Sequence, residues 1–257
     1  MMAAIFRTVL LLFVGFISIS VRAYEANVEF SAEAVQSMPD RPPMIAKMFV
    51  SKNAVRTEST MNGITMVEIV YPNENRRVFL NKIRKTYFEQ STPVKQPKNK
   101  QSSTGSPCNQ RNNSVCKKLA TEKINGRSVI KWEMTTNVNG RSLKSLHWLD
   151  KKYQMPLREQ FSDGTISTMT LLGKDEIYGR VAEKWELLAT RPDGGFIKSQ
   201  QWYDPNLKIV IREVLRGDYV RELRNIKIAR QSKQLFKIPD DFKKETITNM
   251  NIQRNNR

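Results

Sequence analysis

Only a few residues in this 257-residue chain are candidates for chemistry, and the single histidine is the first of them. His147 lies in Lys144-Ser-Leu-His-Trp-Leu-Asp150, which returns at an offset of 54 as Lys198-Ser-Gln-Gln-Trp-Tyr-Asp204, with Gln201 in the histidine's place. A duplicated element that takes glutamine there does not require an imidazole. His147 therefore reads as a surface or sheet-packed side chain, opposite the Leu146/Trp148 face, rather than as a general base. No Gly-x-Ser-x-Gly, phosphate loop or nucleotide-binding glycine pattern occurs. The carboxylates are scattered on faces that also carry Lys and Arg, and read as cross-strand charge pairs. No catalytic residue, metal or cofactor is expected. Cys108 and Cys116 are too widely spaced for a Cys-x-x-Cys redox pair and too poor in neighbouring ligands for zinc. In an oxidising compartment they form a structural disulfide.

The remaining chemistry is apolar or cationic. Trp132, Trp148, Trp185 and Trp202 form two repeat-related pairs. They either fill the core of a sheet or line an apolar hollow, since an open barrel has more inward surface than its own side chains fill. Met134 suits adaptable contact with a flexible apolar ligand. Phe49 stands where a weaker third copy, Lys47-Met-Phe49, echoes Lys144…Trp148. Phe49, Trp132, Met134, Trp148, Trp185 and Trp202 are therefore the candidate lining of an apolar interior. The net charge of +18 favours anionic partners. The lysines and arginines are dispersed over turns, loops and strand edges rather than forming one stripe interleaved with aromatics. That dispersal speaks against nucleic acid and for an anionic membrane surface.

The elements that must position these residues are strands. Residues 1–23 have a basic start, an apolar run Val9–Ile19 and small residues before a cut after Ala23, the pattern of a cleaved secretory signal and a periplasmic destination. Val28, Phe30, Ala32 and Ala34 then alternate with polar residues, the period of a half-buried strand. About six short strands follow, with turns at Asn62-Gly63 and Pro72–Asn75. Residues 91–117 are polar and read as a long loop pinned by the disulfide, either a plain excursion or a binding loop.

Beyond it the chain repeats itself. Ile-Asn-Gly-Arg-Ser-Val-Ile-Lys-Trp-Glu (124–133) returns as Ile-Tyr-Gly-Arg-Val-Ala-Glu-Lys-Trp-Glu (177–186), identical at six of ten positions. Arg158-Glu159 returns as Arg212-Glu213. Asn-Gly, Asp-Gly and Gly-Asp pairs mark the turns, so the expectation is a meander of repeated hairpins. Leu235-Phe-Lys-Ile-Pro-Asp-Asp-Phe242 forms an apolar clasp, and 246–257 a disordered basic tail.

Four features resemble the periplasmic lipoprotein-carrier superfamily, closest to its uncharacterised exported members: the signal peptide, the opening Phe30-Ser-Ala32, hairpins ending in Arg-x-Glu or Arg-Glu before a turn glycine, and the closing Leu-Phe-x-Ile-Pro. Pro107-Cys108…Cys116-Lys-Lys-Leu119 followed by Glu122-Lys-Ile-Asn-Gly-Arg127 is similar to those members. The resemblance implies an all-β fold, an open antiparallel β-barrel (half-barrel) with few short helices, formed by residues 24–245 as a single domain. It also implies an apolar concave face that accepts a lipid or acylated ligand. The expectation is a non-enzymatic binding or carrier protein. The alternatives are an envelope protein-interaction or stress-sensor module acting through an edge strand or the 91–117 loop, and an enzyme using the hollow.

Overall fold

The computed structural model describes residues 28–61, 63–91, 105–110 and 113–245. The predicted signal peptide and basic tail lie outside the described residues, as do 92–104 and 111–112 of the predicted loop. Sixteen strands run in chain order: β1 (Phe30–Met38), β2 (Arg41–Val50), β3 (Val55–Met61), β4 (Ile64–Tyr71), β5 (Arg76–Asn81), β6 (Thr86–Ser91), β7 (Ser114–Ile124) and β8 (Arg127–Val138). Then follow β9 (Arg141–Asp150), β10 (Pro156–Gln160), β11 (Ile166–Ile177), β12 (Arg180–Thr190), β13 (Phe196–Asp204), β14 (Ile209–Leu215), β15 (Tyr219–Ile228) and β16 (Lys243–Lys244). The described helical residues are three 3-10 turns of three or four residues each.

All sixteen strands share one sheet, ordered β16-β6-β5-β4-β3-β2-β1-β15-β14-β13-β12-β11-β10-β9-β8-β7. Neighbours follow the chain except at β1, which pairs antiparallel with both β2 and β15, and at β16, which lies parallel to β6. The end strands β7 and β16 are not neighbours, so the sheet is unclosed. This is the all-β antiparallel meander that the alternation and turn pairs imply, with the open arrangement that the resemblance implies.

Residue contacts group the chain into two compact units. One takes the described residues to 91 with 176–182 and 202–245; the other takes 105–175 and 183–201. In the first, Phe30, Ala32 and Ala34 of β1 and Ala46, Met48 and Val50 of β2 pack with Trp202, Leu207, Ile209, Ile211 and Leu223. The β1 alternation read from sequence is thus the alternation of the core. In the second unit, Cys116 on β7 is disulfide-bonded to Cys108 in the 3-10 turn Pro107–Gln110, with a Cα separation of 5.8 Å.

The duplication has a physical meaning. Asn125-Gly126 and Tyr178-Gly179 all have positive φ, 50° and 76° in the first copy and 50° and 73° in the second. These are two-residue hairpin turns whose twist matches the flanking strands, and glycine tolerates the second position without steric cost. The arginine after each glycine then binds an aspartate that ends a later strand. Arg127 Nε donates to Asp150 Oδ2 at 2.7 Å, and Arg180 Nε to Asp204 Oδ2 at 2.5 Å. Each aspartate's other oxygen accepts two backbone N–H groups of the next turn, from Lys152 and Tyr153 at 2.8 Å, and from Asn206 and Leu207 at 2.8 and 3.0 Å. One carboxylate thus ties two turns together. Burial pushes the Asp150 carboxyl up, but the hydrogen bonds from Arg127, Tyr153 and Lys152 outweigh it and hold it below the usual carboxylate range.

Removing one clamp separates its two functions. Asp204→Ala loses the ion pair and both turn bonds and is expected to destabilise by about 2–4 kcal/mol, because the carboxylate is fully buried. Asp204→Asn keeps an oxygen for the turn and is expected to cost roughly half as much. Equilibrium urea unfolding of the two variants checks the order.

Candidate functional site

In the first unit, β3 to β6 pair antiparallel in registers that fix three rows of side chains. Val55, Val70, Arg77 and Gln90 are successive cross-strand partners; so are Thr57, Glu68, Phe79 and Phe88; and so are Ser59, Met66, Asn81 and Thr86. Directly paired residues project from the same side of a sheet, so these rows form one face. The rows continue onto β2 as Val50, Met48 and Ala46, and onto β1 as Phe30, Ala32 and Ala34. The face is thus packed core at β1 and β2 and opens toward β5 and β6, where Phe79 and Phe88 are half-buried and stacked with centroids 4.5 Å apart.

The opposite face of the same strands is filled. Val67, Ile69, Val78 and Leu80 pack with Tyr87, Phe236, Ile238 and Phe242, so the C-terminal clasp lies there. Arg56 donates to the Leu235 carbonyl at 2.7 Å, and the Tyr71 hydroxyl donates to the Phe236 carbonyl. With the clasp on one side, the Phe79/Phe88 side is left as the shelf.

Glu68 is the anomaly on that face. Its side chain is 1% exposed and neither carboxylate oxygen has a hydrogen-bond partner. The nearest cation, Arg77, stands 3.8 Å away. Burial raises its pKa to about 7, against the lowering influence of Arg77. One row further along, Val70, Arg77 and Gln90 line a recess of about 390 Å³ with Tyr71, Pro72, Asn75 and Arg76. The Arg76 guanidinium lies 4.0 Å from the centre of the Tyr71 ring and pairs with Glu74 at 3.0 Å. An apolar shelf that ends at a guanidinium and a primary amide, with a carboxyl buried beneath it, is suited to an amphipathic molecule.

Of the six residues expected to line an interior, Phe49 and Trp202 lie in the first unit and Trp132, Met134, Trp148 and Trp185 in the second. Phe49 is half-buried and pairs with Ser31 and Arg56, so it projects from the face opposite Met48. Trp202 belongs to the core of the first unit. Trp132, Met134, Trp148 and Trp185 lie buried in the second. There Trp132 is the cross-strand partner of His147, and Met134 of Ser145, so both share His147's face. Trp148 projects from the other side, covered by charged groups. Its indole N–H donates to Glu122 at 2.8 Å, and Lys131 and Arg158 stand 4.9 and 5.2 Å from its ring centre. Trp185 lies near the Arg127 guanidinium, 5.2 Å away, and donates to Glu183 at 3.2 Å.

His147 is 3% exposed, with Nε2 2.8 Å from Ser145 Oγ and Nδ1 2.9 Å from Glu159 Oε1. This connectivity matches a hydroxyl–base–carboxylate relay. Here, though, Ser145 is two residues away on the same strand and Glu159 is the direct cross-strand neighbour, so sheet register alone brings the three together. Both ring nitrogens are engaged, as in a sheet-packed histidine. The described residues contain no group of three or more His, Cys, Asp or Glu side chains able to hold a metal.

Sequence reasoning passed over Glu68, Arg77, Phe79 and Phe88. The available signal was one charge inside the otherwise apolar Met66–Tyr71 run; its lack of a donor is visible only in three dimensions.

Neither a protein-family model nor a curated protein sequence matches the chain. Among solved structures it is similar to a LolA superfamily protein from Nitrosomonas europaea, at 14% identity and TM-score 0.37, covering 86% of this chain and 96% of that one. It is also similar to a domain described as outer membrane lipoprotein-sorting from Vibrio parahaemolyticus, at 12% identity and TM-score 0.35, covering 82% and 90%. The Pseudomonas aeruginosa MucA/MucB complex is matched at 9% identity and TM-score 0.22, covering 84% and 99%. The lipoprotein-carrier superfamily named by the sequence motifs is thus among its structural likenesses. At these identities and TM-scores they carry nothing about ligand or activity.

Glu68 makes stability depend on pH in a defined direction. Its pKa rises on folding from 4.5 to about 7, so the folded state retains a proton that the unfolded chain has lost. Stability therefore falls as pH rises from 4.5 to 7 and is level beyond, by roughly 3 kcal/mol at 1.36 kcal/mol per pKa unit. Urea unfolding of Glu68→Gln across pH 5 to 8 is expected to lose that slope and to exceed the parent protein in stability at pH 8.

Proposed function

We propose that this chain is an exported, non-enzymatic binding or carrier protein that holds a lipid or acylated ligand on the apolar face of β3–β6. The observation that carries the reading is the half-buried Phe79/Phe88 stack, continuous with a packed core on one side and with the Arg77-lined recess on the other. Each methylene buried on such a shelf contributes about 0.8 kcal/mol, so an acyl chain gains substantial affinity from apolar contact alone. The dispersed positive charge, +18 over the chain, then favours approach to anionic membrane in the periplasm. It supports no nucleic-acid groove.

One observation favours a second reading, recognition of an envelope protein. β7 is an end strand of the sheet, eleven residues long, with Val115 73% exposed and Lys117 and Lys118 on its surface. An extended segment of a partner adds to such an edge through backbone hydrogen bonds. In-cell crosslinking from β7 distinguishes this reading by yielding one defined protein adduct.

Purified protein is expected to take up a fluorescent fatty-acyl probe saturably, and to release lipid on extraction for mass spectrometry. Phe79→Ala or Phe88→Ala is expected to weaken the probe by about tenfold, corresponding to about 1.4 kcal/mol of lost contact, whereas Trp148→Phe leaves it unchanged. Absence of both uptake and co-purified lipid contradicts the carrier reading.

A further inference from the structure

Taking the carrier reading as its basis, we infer that Glu68 selects the head of the ligand, so that the β3–β6 face takes an acyl chain bearing an N–H donor, such as a fatty amide, in preference to a free fatty acid. A carboxyl with two buried oxygens and no donor is costly, and the cost falls when a partner supplies the missing hydrogen bonds. No described side chain supplies them. On the flanking strands, β3 turns Val55, Thr57 and Ser59 to this face, and β5 turns Arg77, Phe79 and Asn81. Arg77 is the charged group among these six, and at 3.8 Å it lies beyond hydrogen-bond distance of the carboxylate.

The arrangement around Glu68 gives such a ligand a direction. Its cross-strand neighbour is Phe79, then Phe88, so a chain leaving the carboxyl along that row lies on the aromatic stack. Residues two apart on a strand are about 7 Å apart, and the Arg77 side chain spans that gap, bringing its guanidinium to 3.8 Å from the Glu68 carboxylate. There the recess offers the Gln90 amide and the Arg77 guanidinium to a carbonyl oxygen. Chain on the phenylalanines, N–H on Glu68 and carbonyl toward Arg77 uses both charged groups of these three rows.

Charge then discriminates between heads. An amide N–H donates to Glu68 whether that carboxyl is neutral or ionised. A fatty carboxylate is accepted while Glu68 keeps its proton and is opposed as a like charge once it is lost. Burial holds that loss at about pH 7. Fatty-acid binding is therefore expected to weaken as pH rises through 7, while amide binding stays level.

The test uses the full mature chain, dodecanamide and dodecanoate as competitors, and N-phenyl-1-naphthylamine as the displaced fluorescent probe. At pH 8 the amide is expected to compete at least about tenfold better than the carboxylate, the scale of one unfavourable charge contact, with the two converging at pH 6. Glu68→Gln, which keeps the shape and removes the titration, is expected to bring the ratio at pH 8 to within about threefold. Glu68→Leu is expected to weaken the amide and abolish the pH dependence. Circular dichroism confirms that each variant is folded, and if the leucine variant is not, the glutamine variant alone decides. Equal competition by both compounds at pH 8, or a preference unchanged in Glu68→Gln, overturns the inference and leaves the carrier reading intact. Failure of the protein to take up the probe or either compound overturns the carrier reading itself.

Discussion

Strand register is the constraint on which the rest of this structure depends. Side chains alternate sides along a strand, so a slip of one residue exchanges the buried set for the exposed set. Here register is set at the turns by buried polar groups. Asp150 and Asp204 each hold an arginine from the glycine hairpin two strands earlier and two N–H groups of the following turn. Asn81 does the simpler version between β5 and β6, its side-chain oxygen accepting from Ile83 and Arg84 at 3.1 Å each. With that turn held, Phe79 faces Phe88 and Glu68 faces Phe79. A one-residue shift between β5 and β6 would break the aromatic stack.

That same register makes Glu68 expensive. A carboxyl in line with Thr57, Phe79 and Phe88, with Val70 and Met66 on either side along its own strand, accepts no hydrogen bond, and the Arg77 guanidinium stops 3.8 Å short of it. Replacing it with an apolar side chain is expected to stabilise the fold, as it often does for buried charges without full hydrogen bonding. A costly group beside an apolar shelf and a polar recess gains from a bound donor what the fold does not give it. His147 is the contrast: Ser145 and Glu159 satisfy it within the sheet, and it needs nothing further.

The scaffold was largely legible in the sequence. The alternation of Phe30, Ala32 and Ala34 announced β1, the Asn-Gly and Asp-Gly pairs announced the hairpins, and the closing Leu235–Phe242 stretch announced a clasp. The disulfide followed from two close cysteines in a chain whose first residues read as a secretory signal. The site was less legible for a specific reason. Period-two alternation assigns residues to two faces of one strand, but cross-strand pairing decides which faces coincide. Trp132 meets His147 rather than Trp148, so the two tryptophans of one copy lie on opposite sides, and Trp148 sits beneath Lys131 and Arg158. Large aromatics drew attention to the repeat, whereas the half-buried apolar shelf lies where Phe79 and Phe88, ordinary strand residues, meet across β5 and β6.

On the carrier reading, the β3–β6 face of the first unit receives an acyl chain. Photo-crosslinking of the purified protein with a fatty-acyl diazirine, followed by peptide mapping, tests it directly. Adducts are expected to concentrate on β4–β6, at Met66, Phe79, Phe88 and their neighbours, and to be competed away by unlabelled lipid. Adducts confined to the peptides carrying Trp132, Trp148 or Trp185, or spread evenly and unaffected by competitor, would contradict it.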